Sequence, residues 1–281
     1  MKLGLALYGG GNQVFYIAGL LKYLLEEGLR FDAICTYSAG GGLLPFVQSN
    51  QMQKALHIFR KLVVSNKKNF NVENLVSSQP VFPHDAIFQE AVEQAVGEFS
   101  SFKNDVREFK LIVSKFKAPE ILARSIALSS LIFMSLYATK TTTDSRSLMA
   151  YKRIFGLQPE VIDLNSIEEK TELANVIIGT STIYPFINLR KRRDHYMLDG
   201  KLSMLTPIGE LRDCTHLLSL HAHYSVAPKR ENLIQIFPKR PIECGRFDYV
   251  GDGGPTSAFE HGYAEGPHQR ALIGDAPFFN E

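Results

Sequence analysis

Apolar residues open the chain in a short run, "KLGLALY" (Lys2–Tyr8), that reads as a β-strand. After three glycines, "QVFYIAGLLKYLLEEG" (Gln13–Gly28) carries its apolar residues at helical spacing, with Glu26 and Glu27 near the end. The pattern then repeats. "FDAICTY" (Phe31–Tyr37) is a second strand, and "AGGGLLPFVQ" (Ala39–Gln48) opens a second helix. Strand, helix, strand and helix joined by short connections predict a parallel sheet, and hence a layered α/β fold.

The middle of the chain is mainly helical in pattern. "QMQKALHIFRKLVV" and "PHDAIFQEAVEQAVGEF" predict helices, and "FKLIVSKF" a strand after them. "ILARSIALSSLIFMSLYA" (Ile121–Ala138) is apolar but carries Arg124 and four serines over only 18 residues. That is short of the roughly 20 mostly apolar residues of a membrane-spanning helix, so a buried or interfacial helix is expected. "TKTTTDSRS" (Thr139–Ser147) reads as an exposed loop. From "PEVIDL" onward the α/β alternation returns, with a helix expected from Ser166, where glutamates in the first turn favour the helix dipole. "HYMLDGKL", "HLLSLHA" and "NLIQIF" predict further strands. With no internal repeat and no long linker, residues 1–281 are expected to form one domain, with 64–153 as a helical insertion over the sheet.

Composition narrows the function classes. The chain is 45% apolar and 21% charged, as expected of a globular protein with a sizeable core, and a net charge of +2 offers nothing to nucleic acid. The basic run "LRKRRDHY" (Leu189–Tyr196) reads as a solvated hairpin tip or loop. Cys35, Cys214 and Cys244 are odd in number and irregularly spaced, which suggests neither disulfides nor a metal site. The first residues form too short an apolar run for a secretory signal, so a reduced, cytoplasmic setting is expected.

The candidate chemistry sits at the glycines. Thr36-Tyr37-Ser38-Ala39-Gly40 is a G-x-S-x-G elbow with its first glycine replaced, placed between a strand and a helix. Gly9-Gly10-Gly11 lies in the same strand-to-helix context, where backbone N–H groups can bind an anion. It lacks the third glycine of a dinucleotide fingerprint, since Val14 stands there, and it lacks the Gly-Lys-Ser/Thr of a phosphate loop. An oxyanion hole needs only N–H donors, and that reading fits best. For the proton acceptor of Ser38, histidines follow at 195, 216, 221, 223, 261 and 268. Yet only 37 residues precede Ser38, too few for the strands that come before the elbow in an α/β-hydrolase. Asp199-Gly200, at the end of a strand in "YMLDGKLSMLTPI", offers a carboxylate instead.

The triple-glycine loop, the serine elbow 27 residues after Gly11 and the late Asp-Gly together resemble the patatin-like phospholipase family. "GTSTIYPFIN" (Gly179–Asn188) resembles that family's small-residue segment before the dyad strand. "LDGKLSMLTPI", with Pro207 eight residues after the aspartate, resembles its dyad motif, and "AFEHGYAEG" (Ala258–Gly266) its C-terminal helix. The resemblance implies a three-layer α/β/α fold with a mainly parallel central sheet. It implies Ser38 as nucleophile and Asp199 as its base, with Gly9, Gly10, Gly11 and the Asn12 backbone as oxyanion donors. No metal and no cofactor are implied. The substrate would be a phospholipid or another acyl-ester lipid, met through peripheral contact with a membrane, and Ile121–Ala138 would line an acyl pocket or form a membrane-facing cap.

The chain departs from the family's pattern at Gln13 and Val14, where a basic residue and a glycine are usual, and at Thr36, Lys201 and Leu205. Two other readings remain open: a non-catalytic or specialised lipid-binding relative, and a Ser-His-Asp esterase of α/β-hydrolase type. Asp252 in "GDGGPTS" is a rival base, and its plainer reading is a glycine-rich turn. His221 and His223 alternate as metal ligands on a strand would, without a further ligand at a helpful spacing, and His195 lies four residues before Asp199.

Overall fold

Five consecutive buried residues, Leu3–Leu7, form β1 at the middle of the sheet. A strand covered on both faces must be apolar throughout, which is why no polar alternation was visible there. Parallel neighbours flank it: β2 (Ala33–Tyr37) on one side and β7 (His216–Leu220) on the other. β3 (Glu108–Phe116) continues the parallel set beyond β2, and β8 (Leu233–Ile236) beyond β7. β4 (Gln158–Asp163) and β6 (His195–Asp199) pair antiparallel with β3, and β5 (Arg190–Arg192) forms a hairpin with β6. The computed structural model describes residues 2–76, 80–99, 101–138, 145–223, 230–251 and 253–274.

The register along β3 positions the site. β2 pairs with Glu108–Ile112, β6 with Val113–Phe116, and β4 with Lys110–Lys115, overlapping both. A strand has two edges, so β4 must occupy one while β2 and β6 lie in line along the other. Their C-terminal ends therefore face each other. Tyr37 stands opposite Ile112 and Asp199 opposite the next residue, Val113. Residues 38 and 199, far apart in sequence, are brought end to end by one long strand.

Alternate residues feed two faces, as the two-residue period of a strand requires. Leu5, Leu7, Ile34 and Leu111 enter one core with α1 (Val14–Glu26), α2 (Leu44–Ser49), α3 (Met52–Val63), α4 (His84–Phe99), α7 (Lys170–Gly179) and α8 (Gly253–Gly274). Ala6, Tyr8, Cys35 and Tyr37 enter another, beneath Ile208 and Leu211. Beside the latter, α5 (Glu120–Ala138) and α6 (Ser145–Phe155) pack Ile126 and Tyr151 against Phe116 and Tyr196. The result is the expected three-layer α/β/α arrangement around a mixed, mostly parallel sheet. α1 and α8 touch backbone to backbone. A Cβ on Gly19 would lie 1.9 Å from the Phe259 carbonyl oxygen, and one on Gly262 would lie 1.9 Å from that of Tyr16.

Residues 64–153 supply α4, α5 and most of α6, but also β3, so this stretch is built into the sheet as well as lying over it. The helix expected from Ser166 starts at Lys170 instead. Leu164–Ser166 is a 3-10 turn capped by the Asp163 carboxylate, which accepts the Asn165 N–H. Residues 139–144 of the expected loop lie outside the described residues, and 145–147 open α6. The basic run forms the expected hairpin. Arg190 is paired with Asp85, and Arg192 with Glu160 and Glu172, so those cations hold the sheet edge. α5 buries Ala123, Ile126 and Ala127 while Ile121, Leu122, Leu128 and Ile132 face solvent. No helix among the described residues is long and apolar enough to cross a membrane.

Candidate active site

Ser38 follows directly from the end of β2. Its φ of 57° places a non-glycine residue in the left-handed region, and a 3-10 turn (Ser38–Leu43) then leads into α2. That conformation costs an L-residue about 1–2 kcal/mol and is typical of a side chain held out at a sharp turn. The Ser38 N–H donates to Thr180 Oγ1 at 2.9 Å, and that hydroxyl donates to the Ile112 carbonyl at 2.5 Å. Thr36, the departure from the elbow pattern, is fully buried and donates its Oγ1 to the Leu7 carbonyl at 3.0 Å, tying β2 to β1. A Cβ at position 40 would lie 2.1 Å from that Oγ1, so Thr36 makes glycine compulsory at position 40.

Asp199 ends β6 and is buried, with 3% of its surface exposed. Its carboxyl faces the Ser38 hydroxyl, and its Oδ1 accepts the Lys201 N–H at 2.9 Å. Burial pushes its pKa above the ordinary carboxylate value, and the bonds from Ser38 and Lys201 oppose that shift. Its backbone is fixed as well. The Asp199 N–H donates to the Thr182 carbonyl at 3.1 Å, and Ser114 Oγ donates to the Asp199 carbonyl at 2.7 Å. Thr180 and Thr182 thus give the "GTSTIYPF" segment a task that no single residue in it announced: they set Ser38 and Asp199 against each other.

The glycine loop closes over the serine. A Cβ on Gly9 would come within 2.5 Å of Ser38 Cβ and 3.0 Å of its Oγ, so the loop can lie on Ser38 only because position 9 has no side chain. Among the described residues, the N–H groups of Gly9, Gly10 and Gly11 have no acceptor. Asn12 differs from the expectation. Its N–H donates to the Arg246 carbonyl at 2.9 Å and its side-chain amide to the Asp248 carbonyl at 2.5 Å, so it anchors the loop instead of offering a donor.

Arg246 is the residue that the sequence did not reveal. Its backbone packs on Gly11, where a Cβ would lie 2.2 Å from the Arg246 carbonyl oxygen, and its Nε donates to Gln13 Oε1 at 3.3 Å. Gln13 stands where a basic side chain was expected, and a guanidinium from elsewhere in the chain lies beside it. The stretch around Arg246 has no periodicity or motif that could have flagged it.

Two cavities meet at Ser38. One, of about 840 Å³ with its open mouth, is walled by apolar side chains including Phe15, Leu43, Phe46, Phe59 and Phe88. The other, of about 870 Å³, holds Asp199, Lys201, His223 and Arg246 under a roof of Leu131, Phe133 and Leu148. Among the described residues no histidine is hydrogen-bonded to Ser38 or Asp199. His195 pairs with Asp194, and His221 is stacked between Tyr8 and Phe237 with its Nε2 on Ser219. Burial lowers the pKa of His221 to about 3 and that of His223 to about 4. No group of three metal-binding side chains occurs among the described residues, and Asp252 lies outside them.

The crystal structure of VipD from Legionella pneumophila is similar to this chain with a TM-score of 0.41 at 12% identity, over 92% of this chain and 66% of that one. This chain thus spans just under two thirds of that protein's length. None of the curated proteins matches by sequence. The family model for patatin-like phospholipases matches residues 5–212, a span that begins in β1, takes in the glycine loop and the elbow, and runs past Asp199. On that match, covering well over half of its length, the chain belongs to the patatin-like phospholipase family.

Proposed function

We propose that the protein is a lipid acyl hydrolase in which Ser38 and Asp199 act as a catalytic dyad and the Gly9–Gly11 amides form the oxyanion hole. One observation carries this reading: the Ser38 hydroxyl, held on a left-handed turn, faces a buried carboxylate directly beneath the glycine loop. Ser38 Oγ attacks the ester carbonyl carbon and its proton passes to Asp199. The carbonyl oxygen becomes an oxyanion that the free glycine amides can receive, each such donor being typically worth about 3–4 kcal/mol. Collapse breaks the bond to the alcohol, which takes the proton from Asp199. Water then attacks the acyl-enzyme, giving its proton to Asp199. The fatty acid leaves and the proton returns to Ser38.

The apolar cavity suits an acyl chain. α5 and α6 roof the other cavity with Leu131, Phe133 and Leu148, while Ile121, Ile132, Met149 and Ile154 on the same helices face outward, and a membrane surface would cover them. The test is hydrolysis of a phospholipid panel by wild type and by Ser38→Ala and Asp199→Ala variants. Loss of activity in both variants supports the dyad; a Ser38→Ala protein that still turns over overturns it. Charges placed at Ile121, Leu128 and Ile132 are expected to lower activity on vesicles more than on soluble esters. Equal activity on vesicles removes the membrane-contact role.

A further inference from the structure

The two cavities at Ser38 differ in charge, and the difference is not explained by the dyad. The acyl cavity is walled almost wholly by hydrocarbon. Arg246 stands on the border of both cavities, and the neighbouring one adds Lys201, so that two cations face it against the single carboxylate of Asp199. Among the described residues neither cation lies within salt-bridge distance of a carboxylate, and the one side-chain bond from Arg246 goes to the neutral Gln13. Burial lowers the pKa of both; the Asp199 carboxylate opposes that shift at Lys201, while at Arg246 burial acts alone. Two partly buried cations against one carboxylate leave an excess positive charge that is expensive to keep, and an arriving anion would offset that cost.

His223 adds an independent sign. Its Nδ1 is buried with no partner among the described residues, and it sits 3.8 Å from where a Cβ on Gly10 would be, beside the oxyanion loop. With Arg246 and Lys201 near it the ring stays neutral, so this nitrogen can donate to an oxygen as an N–H tautomer. A forked guanidinium, a point charge and a neutral ring donor together suit an oxygen-rich anion with several acceptors.

We propose that Lys201, His223 and Arg246 form an anion-binding subsite that holds the phosphate of the alcohol half of the substrate, while the acyl chain occupies the apolar cavity. This rests on the dyad reading for the direction in which the ester lies. It makes the enzyme selective for esters whose leaving alcohol carries a phosphate over uncharged glycerides.

The experiment compares kcat/KM on water-soluble dihexanoyl phosphatidylglycerol and on uncharged dihexanoylglycerol. Wild type, Lys201→Met, Arg246→Met and Arg246→Lys are assayed. Binding of glycerol 3-phosphate and of inorganic phosphate to Ser38→Ala is measured by calorimetry. Loss of one charge-assisted hydrogen bond is expected to lower the phosphate-to-neutral rate ratio about ten- to hundredfold in each Met variant, with partial recovery in Arg246→Lys. Glycerol 3-phosphate is expected to bind Ser38→Ala, and to bind more weakly once Lys201→Met is added. Equal losses on both esters overturn the subsite and leave the dyad standing. If wild type cleaves neither ester the dyad reading fails, and glycerol 3-phosphate binding decides the subsite alone, absence of binding overturning it. Inorganic phosphate binding as tightly as glycerol 3-phosphate assigns the pocket to a free anion and overturns the link to the leaving group.

Discussion

Introducing a methyl group at Gly40 tests the account of the elbow most directly. The new Cβ would stand 2.1 Å from Thr36 Oγ1, far inside van der Waals contact, and 3.4 Å from Thr36 Cβ, which is ordinary contact. Gly40→Ala must therefore drive the Thr36 hydroxyl out of place. That breaks its 3.0 Å bond to the Leu7 carbonyl at a fully buried position and leaves polar groups unpaired, at about 1–3 kcal/mol. Overpacking adds about 1–3 kcal/mol, and the lower chain entropy of alanine in the unfolded state returns about 0.4–1 kcal/mol. The net expectation is a loss of roughly 2–4 kcal/mol, together with loss of esterase activity as Ser38 is displaced. In a Thr36→Ala background the colliding oxygen is absent, so the same Gly40→Ala change is expected to be neutral or mildly stabilising. Urea unfolding of wild type, both single variants and the double variant closes the cycle. A coupling of at least about 2 kcal/mol is expected. Additive effects would refute the idea that Thr36 dictates Gly40.

Three further outcomes follow from the same site. The proposed dyad needs Asp199 ionised and burial raises its pKa, so kcat/KM should fall through a single acid limb whose midpoint lies above the ordinary carboxylate value of 3.8; a midpoint at or below 3.8 would sink the burial argument. Because the folded state binds that proton more tightly than the unfolded chain, ionising Asp199 opposes folding, a penalty absent below about pH 3.8 and complete above the raised pKa. Asp199→Asn should thus be inactive but melt higher than wild type at pH 7, with the gap closing as the pH falls to 3 in thermal scans. Ser38→Gly should be more stable than Ser38→Ala by about 1 kcal/mol, since both lack the hydroxyl but only glycine accepts a φ of 57° without strain; equal melting temperatures would count against a strained elbow.

What could be read from the chain was whatever is local. The strand before Ser38, the helix after it, the glycine loop and the Asp-Gly at a strand end each fit within about ten residues, where periodicity and turn chemistry act. The start of α7 was misread because the glutamates after Ser166 look like a first turn, while Asp163 captures the chain earlier and delays the helix to Lys170. Arg246 and the roles of Thr180 and Thr182 stayed hidden for a different reason. Their partners, Asn12, Ser38 and Asp199, are supplied by tertiary contact, and no spacing rule connects position 12 with 246 or 38 with 180. Asn12 was misassigned by the same blindness, since its amide looks free until the Arg246 carbonyl is placed against it.

The backbone contact of α1 with α8, and the Arg246 carbonyl on Asn12, bear on how the candidate site comes into being. The glycine loop occupies residues 9–11, yet the residue that fixes its shape lies at 246, and α1 after it packs on residues 259 and 262. Sequence separations of that size make such contacts slow to form and late in folding. A nascent chain carrying the serine, the aspartate and all of β1 to β6 would still lack a shaped loop. The glycine loop therefore takes its shape only when Arg246 has joined the fold, which makes order at this end of the site a late event in folding.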